Sequence, residues 1–466
     1  MITRRKLLEI GYSTALGTSL AAIAGRKSSA AERSGRDAER PQNTPRAKSV
    51  LFLFMFGGPS QLDTFDPKPE APAEYRGEFA AINTTIPGVQ LCEHLPEMAK
   101  RMDRWSLVRS MTCNPAFGDH RLAVHGLLGG IDELPPGATL AASRRDWPSW
   151  CAGVEYTRQA KNGLPTSVVL PGDVVDPGTG LYPGQNAGLL GAKFDPMRLP
   201  HNPADPKYRV DESLRLAEGM SVERLANKRT LLAELNRQQT ALAAAIDAAP
   251  YENSQREAFG VLTSGRLARA LAIDDEPPAV RERYGKHMFG QTMLLARRLI
   301  AAGVPIVQAN VSYQALWDTH YNNFVGLKGL LPPFDRGLSA LMDDMHSSGL
   351  LDETLVVVMG EFGRTPKLVQ PNGSSPYFTL PGRDHWMNCF FGLFAGAGVR
   401  GGQVIGKSDA TASYPVTKPY RHSDVAATVY TALGIEPATE IHDLVGRPLV
   451  LNRGEVIEAL YTGRES

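Results

Sequence analysis

The sequence predicts an α/β fold, a mostly parallel sheet with helices on both faces, and three observations lead there. Short runs rich in Val, Ile, Leu and Phe recur along the chain, the pattern of strands buried on both faces of a sheet. In the last third these runs alternate with amphipathic helical stretches, which implies right-handed crossovers between parallel strands. Acids, histidines and arginines gather beside the ends of these runs, where open α/β sheets hold their ligands.

The elements follow in order. Residues 1–29 place Arg4 and Arg5 ahead of a weakly apolar stretch at 10–25 (IGYSTALGTSLAAIAG) and an Ala-rich segment. That is the pattern of a twin-arginine export signal, and the stretch is too short and too rich in Gly, Ser and Thr for a comfortable membrane span. The expectation is an exported protein, periplasmic or extracellular, that engages the twin-arginine export machinery, with an uncleaved N-terminal anchor as the alternative. Residues 30–46 are polar and lack an apolar period, so they read as a linker. The α/β domain is expected over 47–455.

Within it, residues 48–56 (KSVLFLFMF) read as a fully buried strand that runs into Gly57, Gly58 and Pro59. A short helix at 95–102, a strand at 105–110 and a strand at 164–170 follow. Between about 205 and 285 the composition shifts to Ala, Leu, Arg, Glu and Gln, with helical spacing at 221–249 and 255–272; this predicts a helical insertion packed on the sheet. Beyond it come a helix at 288–303, a strand at 304–310, a helix at 333–349, strands at 354–359 and 388–395, and a helix at 423–433.

Composition excludes several functions. At 466 residues, 42% hydrophobic and 21% charged, the chain can bury a large core. Fifty Lys and Arg against 49 Asp and Glu leave a net charge of +1, so no overall basic field exists to hold nucleic acid. The four cysteines (Cys92, Cys113, Cys151, Cys389) contain no Cys-x-x-Cys pair, which excludes a zinc ribbon and a thioredoxin-type dithiol. In an exported protein one or two disulfides are allowed.

The chemistry is sought at the strand ends. Ser60 and Asp63 follow the first strand. Asp318 and His320 follow the strand at 304–310 and, two residues apart, can point the same way from an extended backbone. Glu361 and Arg364 follow the strand at 354–359, and Arg383, Asp384 and His385 precede the strand at 388–395. The candidate metal ligands are therefore Asp63, Asp318, His320, Glu361, Asp384 and His385. Carboxylate and imidazole without a thiolate pattern suit one or two divalent ions, Zn²⁺, Ca²⁺, Mg²⁺ or Mn²⁺. Such ions could activate a hydroxyl or water and neutralise charge on a phosphate or sulfate ester. Arg364 and Arg383 could clamp the anionic oxygens, and Thr112 and Ser60 are candidate nucleophiles. His120 and His125 are candidate substrate contacts, although a spacing of five is poor for one helical face. His422 reads as part of a helix cap. Trp105, Trp147 and Trp150 could stack sugars if exposed and pack in the core otherwise.

Several of these segments carry a resemblance. GGPSQLDTFDPKP, RSMT at 109–112, ERYG at 282–285, GQTMLLARRLIAAGV, WDTH, GEFGRTP and GRDHW, in this order, resemble the DUF1501 family, exported proteins of the alkaline phosphatase and sulfatase-like superfamily. The resemblance runs from 49 to 451. It implies that Asp318, His320 and His385 share a metal site and that Glu361 stands where the superfamily carries an Asp-His or Asp-Asn pair. Gly57 and Gly58 replace the usual first-strand Asp, which makes Asp63 the nearest substitute. The sulfatase nucleophile is a cysteine matured to formylglycine within Cys-x-Pro-Ser-Arg; here 113–117 reads CNPAF, so Cys113 is an ordinary or disulfide-bonded cysteine. The implied activity is hydrolysis of a phosphate or sulfate ester, on a small molecule or an extracytoplasmic polysaccharide. The alternative is a non-catalytic glycan- or metal-binding protein on the same scaffold.

Overall fold

The computed structural model describes residues 46–158, 163–176, 180–208, 224, 265–312, 315–371 and 379–464. The expected export signal, nearly all of the linker and most of the helical insertion lie outside the described residues. Of the segment at 205–285, the described part includes helices Arg266–Leu271 and Pro278–Tyr284. No helix among the described residues is long and apolar enough to cross a membrane.

Eight strands form one sheet: β1 (Ser49–Met55), β2 (Ser106–Met111), β3 (Ser167–Leu170), β4 (Met197–Arg198), β5 (Ile306–Ser312), β6 (Thr354–Met359), β7 (Phe390–Ala395) and β8 (Gln403–Ile405). Their order across the sheet is β8-β2-β7-β6-β1-β5-β3-β4. β1 sits between β6 and β5 and is parallel to both. β7 alone among the eight runs the other way, antiparallel to β6 and to β2. The mostly parallel sheet is therefore as the apolar runs predict.

Both faces of β1 are covered, which is why its sequence is apolar without alternation. Leu51, Leu53 and Met55 pack into a core shared with α3 (Met288–Ala302) and α4 (Asn323–Ser347). Val50, Phe52, Phe54 and Phe56 face the opposite way, into a core shared with α1 (His120–Gly129), α2 (Trp150–Thr157) and α5 (His422–Ala432). Burying each such side chain contributes roughly 1.5–3 kcal/mol, so a charge at Leu53 would break the centre of the sheet.

Two elements differ from expectation. α4 begins at Asn323, well before the expected start at 333, because Pro332 and Pro333 stand inside the helix rather than in its first turn. Each proline removes an intrahelical hydrogen bond, and burial of Phe324, Leu327 and Leu331 ahead of them holds the first turns in place. The reversed direction of β7 matters for the site. Its first residues pair with the last residues of its two antiparallel neighbours, Phe390 with Met111 and Gly392 with Met359. The segment before β7 therefore arrives at the same sheet edge as the loops after β1, β5 and β6.

Candidate metal centre

Four segments meet at that edge. Asp318 and His320 come from the connection between β5 and α4, Glu361 from just after β6, and Asp384 and His385 from the approach to β7. His120 opens α1, reached from β2 through the single turn Pro115–Phe117. Gly57, just past β1, lets them close together. Its φ is +118°, and a Cβ there would lie 2.6 Å from the Asp318 nitrogen and 2.8 Å from that of Trp317. Only glycine fits so near another backbone in that conformation. Its N–H also donates to the Glu361 carboxylate, at 3.0 and 3.3 Å. The glycine that replaces an expected acid thus serves as a spacer and a donor.

The three histidines are held in the same manner. His120 Nδ1 lies 2.5 Å from Glu361 Oε1, His320 Nδ1 lies 2.6 Å from Asp384 Oδ1, and His385 Nδ1 lies 2.7 Å from the Gly118 carbonyl oxygen. Each Nδ1 faces an acceptor, so it carries the proton in the neutral ring and leaves the Nε2 lone pair free. The three Nε2 atoms converge on Asp318. His120 Nε2 is 3.2 Å from Oδ2; His320 and His385 Nε2 are 3.0 and 3.5 Å from Oδ1. The Nε2 atoms of His320 and His385 are 3.0 Å apart.

These separations match a metal's ligand shell. Ligands at ~2.0–2.1 Å from a tetrahedral ion stand ~3.3 Å apart. His120, Asp318 and His385 form a group that could hold such an ion, each offering an atom within 4.8 Å of the others. His120 Nε2 is buried and makes no aligned hydrogen bond. Two imidazole lone pairs facing each other at 3.0 Å repel unless a proton or a cation lies between them.

Electrostatics agree. Burial works against a charged His120, but the carboxylates of Asp318 and Glu361 outweigh it and raise the pKa. His320 is raised mainly by its bond to Asp318. Burial would raise Asp318, yet the three histidines beside it and the Arg364 charge overcome it and hold the carboxyl far below its usual range. Without a cation the cluster gathers protons, and a bound metal must displace them.

Around the cluster the structure corrects several expectations. Arg364 is fully buried, and its guanidinium donates to the carbonyls of Gly57, Gly58 and Arg383 and, at 2.6 Å, to Asp318 Oδ1. Buried and bonded to three carbonyls, it positions Asp318 rather than reaching into open space. Glu361 is fully buried behind His120 and orients that ring. Asp384 likewise reaches the site through His320. His422 is no cap: Arg421 precedes α5, while His422 Nε2 lies 2.9 Å from the Glu361 carbonyl oxygen.

Asp63 and Arg383 stand apart as a buried pair with both side chains at 0% exposure. Arg383 reaches the two carboxylate oxygens at 2.7 and 3.0 Å, and Ser60 Oγ and Asn323 Nδ2 add bonds at 2.7 and 2.9 Å. Asp63 is thereby saturated, Ser60 is consumed, and Arg383 is removed from any substrate. Thr112 donates to the Met387 carbonyl at 3.2 Å rather than into the cluster. His125 lies about 140° around α1 from His120. Its Nε2 accepts from the Trp147 N–H at 2.9 Å, and burial pushes its pKa down to about 4.

The cysteines are four buried free thiols, not disulfides. Burial pushes Cys92, Cys151 and Cys389 up to about 12 and raises Cys113 as well, so none is a ready thiolate. Trp105 and Trp150 are buried in the two cores and stack no sugar.

His120, expected from the sequence as a substrate contact, is the residue that the structure adds to the candidate ligand group. A signal was available: Asp119 caps α1 just past β2, which puts His120 in the first turn of a helix at the ligand edge.

A family model matches residues 47–461. The chain belongs to DUF1501, described as a protein of unknown function. No curated protein matches the sequence of this DUF1501 protein. Among solved structures it is similar to the phosphonate monoester hydrolase SpPMH from Silicibacter pomeroyi, at 13% identity and a TM-score of 0.36, covering 90% of this chain and 77% of that one. It is similar to the alkaline phosphatase of the Antarctic bacterium TAB5, at 11% identity and a TM-score of 0.35, over 83% and 98% of the two chains. The PsFucS1 sulfatase from Pseudoalteromonas sp. stands at 12% and 0.35, over 84% and 68%. At this distance the likenesses carry no residue roles, and the chemistry of the DUF1501 cluster rests on its own geometry.

Proposed function

We propose that the protein is an exported, metal-dependent hydrolase of phosphate or sulfate esters. The observation that carries the reading is the convergence of the Nε2 atoms of His120, His320 and His385 on Asp318 at ligand-shell separations. An imidazole-rich set with one carboxylate suits Zn²⁺ or Mn²⁺ better than Ca²⁺ or Mg²⁺, which take oxygen ligands. A divalent ion held there supplies Lewis acidity toward an ester oxygen and acidifies water.

The chain's own residues do the rest. Glu361, Asp384 and the Gly118 carbonyl hold three rings in one tautomer, and Arg364 fixes Asp318. Phe56 and Phe362 pack against the His120 ring and keep water from the inner side. His320 and Asp384, with side chains 36% and 52% exposed, form the open side by which an ester would enter. One ion is favoured over two, because Asp63 is taken by Arg383. Neither Ser60 nor Thr112 bonds to the cluster, so water is the nucleophile in this reading. Export rests on the pattern around Arg4 and Arg5.

A specific observation favours the second reading, metal or ligand capture without turnover: both arginines expected to hold an anion are consumed in buried bonds. Metal analysis of the exported protein, followed by a panel of aryl phosphates, phosphonates and sulfates, separates the two. The hydrolase reading expects about one ion per chain and turnover of at least one ester. Metal without turnover transfers support to capture, and no metal sinks both the hydrolase and metal capture, leaving only capture of a glycan.

A further inference from the structure

The two-stranded ribbon that carries His385 has a second side. Gly363–Arg364 pairs antiparallel with His385–Trp386. Successive residues in a strand point to opposite faces, so while His385 turns to Asp318, Trp386 turns outward. There it lines a cleft of about 420 Å³ together with Tyr75, Thr365, Lys367, Ser413 and Tyr414. The indole is held in place by a 2.7 Å hydrogen bond from Nε1 to the Ser413 carbonyl. Tyr414 stands edge-on to it, ring centres 5.6 Å apart, and is 53% exposed. Thr365 joins the two sides, since its hydroxyl accepts from the N–H of Asp384, the partner of His320, at 2.9 Å.

We propose that this cleft binds a sugar ring of a polysaccharide and prefers an anionic one. The Trp386 indole, fixed by its hydrogen bond, and Tyr414, edge-on to it, line the cleft, so one ring can stack on the C–H side of a sugar while Lys367, Thr365 and Ser413 offer charge and hydrogen bonds to its rim. Pro366, Leu368 and Val369 complete the lining and add apolar surface for the C–H side of a sugar. Lys367 is the charged residue of the lining and it is positive, which favours a sulfated or otherwise anionic ring. The cleft lies on the opposite side of the ribbon from His385, so a polymer whose ester lies at the metal centre would have to bend round the ribbon to reach it. That last step rests on the hydrolase reading; sugar binding does not.

Affinity electrophoresis of the full chain through gels holding a soluble sulfated galactan, its desulfated form or no polymer tests the inference. The expected result is retardation, stronger with the sulfated polymer. Tyr414→Ala should weaken binding about tenfold, the loss of one aromatic contact, with the metal content of the wild type. Lys367→Glu should abolish the preference for sulfate. Trp386→Ala should act like Tyr414→Ala, but it neighbours His385, so the more exposed Tyr414 carries the decision. Mobility unaffected by both polymers, or unchanged by Tyr414→Ala, would overturn the inference. Retention without ester turnover would leave the cleft standing and sink the hydrolase. Turnover of an aryl ester without retention would sink the cleft alone.

Discussion

Asp63 and Asp318 each lie in the loop after a strand, at the same edge of the sheet, and their surroundings are opposite. Asp63 meets only donors: a guanidinium, a hydroxyl and a side-chain amide fill its two oxygens, and Arg383 cancels its charge. Asp318 meets one guanidinium and three imidazoles whose Nε2 lone pairs also face it. The first carboxylate is complete, whereas the second belongs to a surplus of acceptors. The difference teaches that an acid at a strand end stays available to a cation through the donors it does not have. Both are acids of the same type in similar sequence settings, so residue identity alone does not separate them.

Substitutions can break or sharpen that contrast. The largest effect is expected from Asp318→Ala, which should cut bound metal from about one ion per chain to under about a tenth while the fold, read by circular dichroism, survives. Arg383→Met should do the reverse. It leaves Asp63 as an uncompensated buried charge, which costs about 3–5 kcal/mol in urea unfolding, while the folded fraction keeps its metal. Equal metal loss in both variants would erase the distinction.

Glu361→Gln tests how the cluster is held. It weakens the partner of His120 Nδ1 without touching a ligand atom, and about a 10- to 100-fold loss of metal affinity is expected by competition with a chromophoric chelator. Acidification is the mildest lever. His120 and His320 have raised pKa values in the metal-free chain, so protons occupy the site below those values and must leave when metal binds. Affinity should fall about tenfold per pH unit for each proton displaced as pH drops through them, and level off above them. An affinity flat with pH across that range would remove the histidines from the ligand set.

Much of the scaffold was legible because its signal is local. β1 and β6 are apolar throughout, α3 ends on Gly303 in a left-handed cap, and each appears within two residues of its expected bounds. The start of α4 was hidden by Pro332 and Pro333, which read as a first turn although packing carries the helix past them. The direction of β7 has no local signature, since an apolar run reads the same both ways along a sheet. At the site, Asp318, His320 and His385 could be named from strand ends. The roles of Arg364 and Glu361 could not, because a buried guanidinium spends its donors on backbone carbonyls that sequence does not mark. His120 finds Glu361 across 241 residues of chain, a pairing that only the sheet order produces.

X-ray absorption on the chain loaded with one equivalent of Zn²⁺ bears most directly on the cluster. The predicted spectrum has three imidazole nitrogens and one carboxylate oxygen at ~2.0–2.1 Å, and it is lost in Asp318→Ala. A chain that retains no stoichiometric ion, or one whose ion shows thiolate or no imidazole scattering, would contradict a metal centre built from His120, Asp318, His320 and His385.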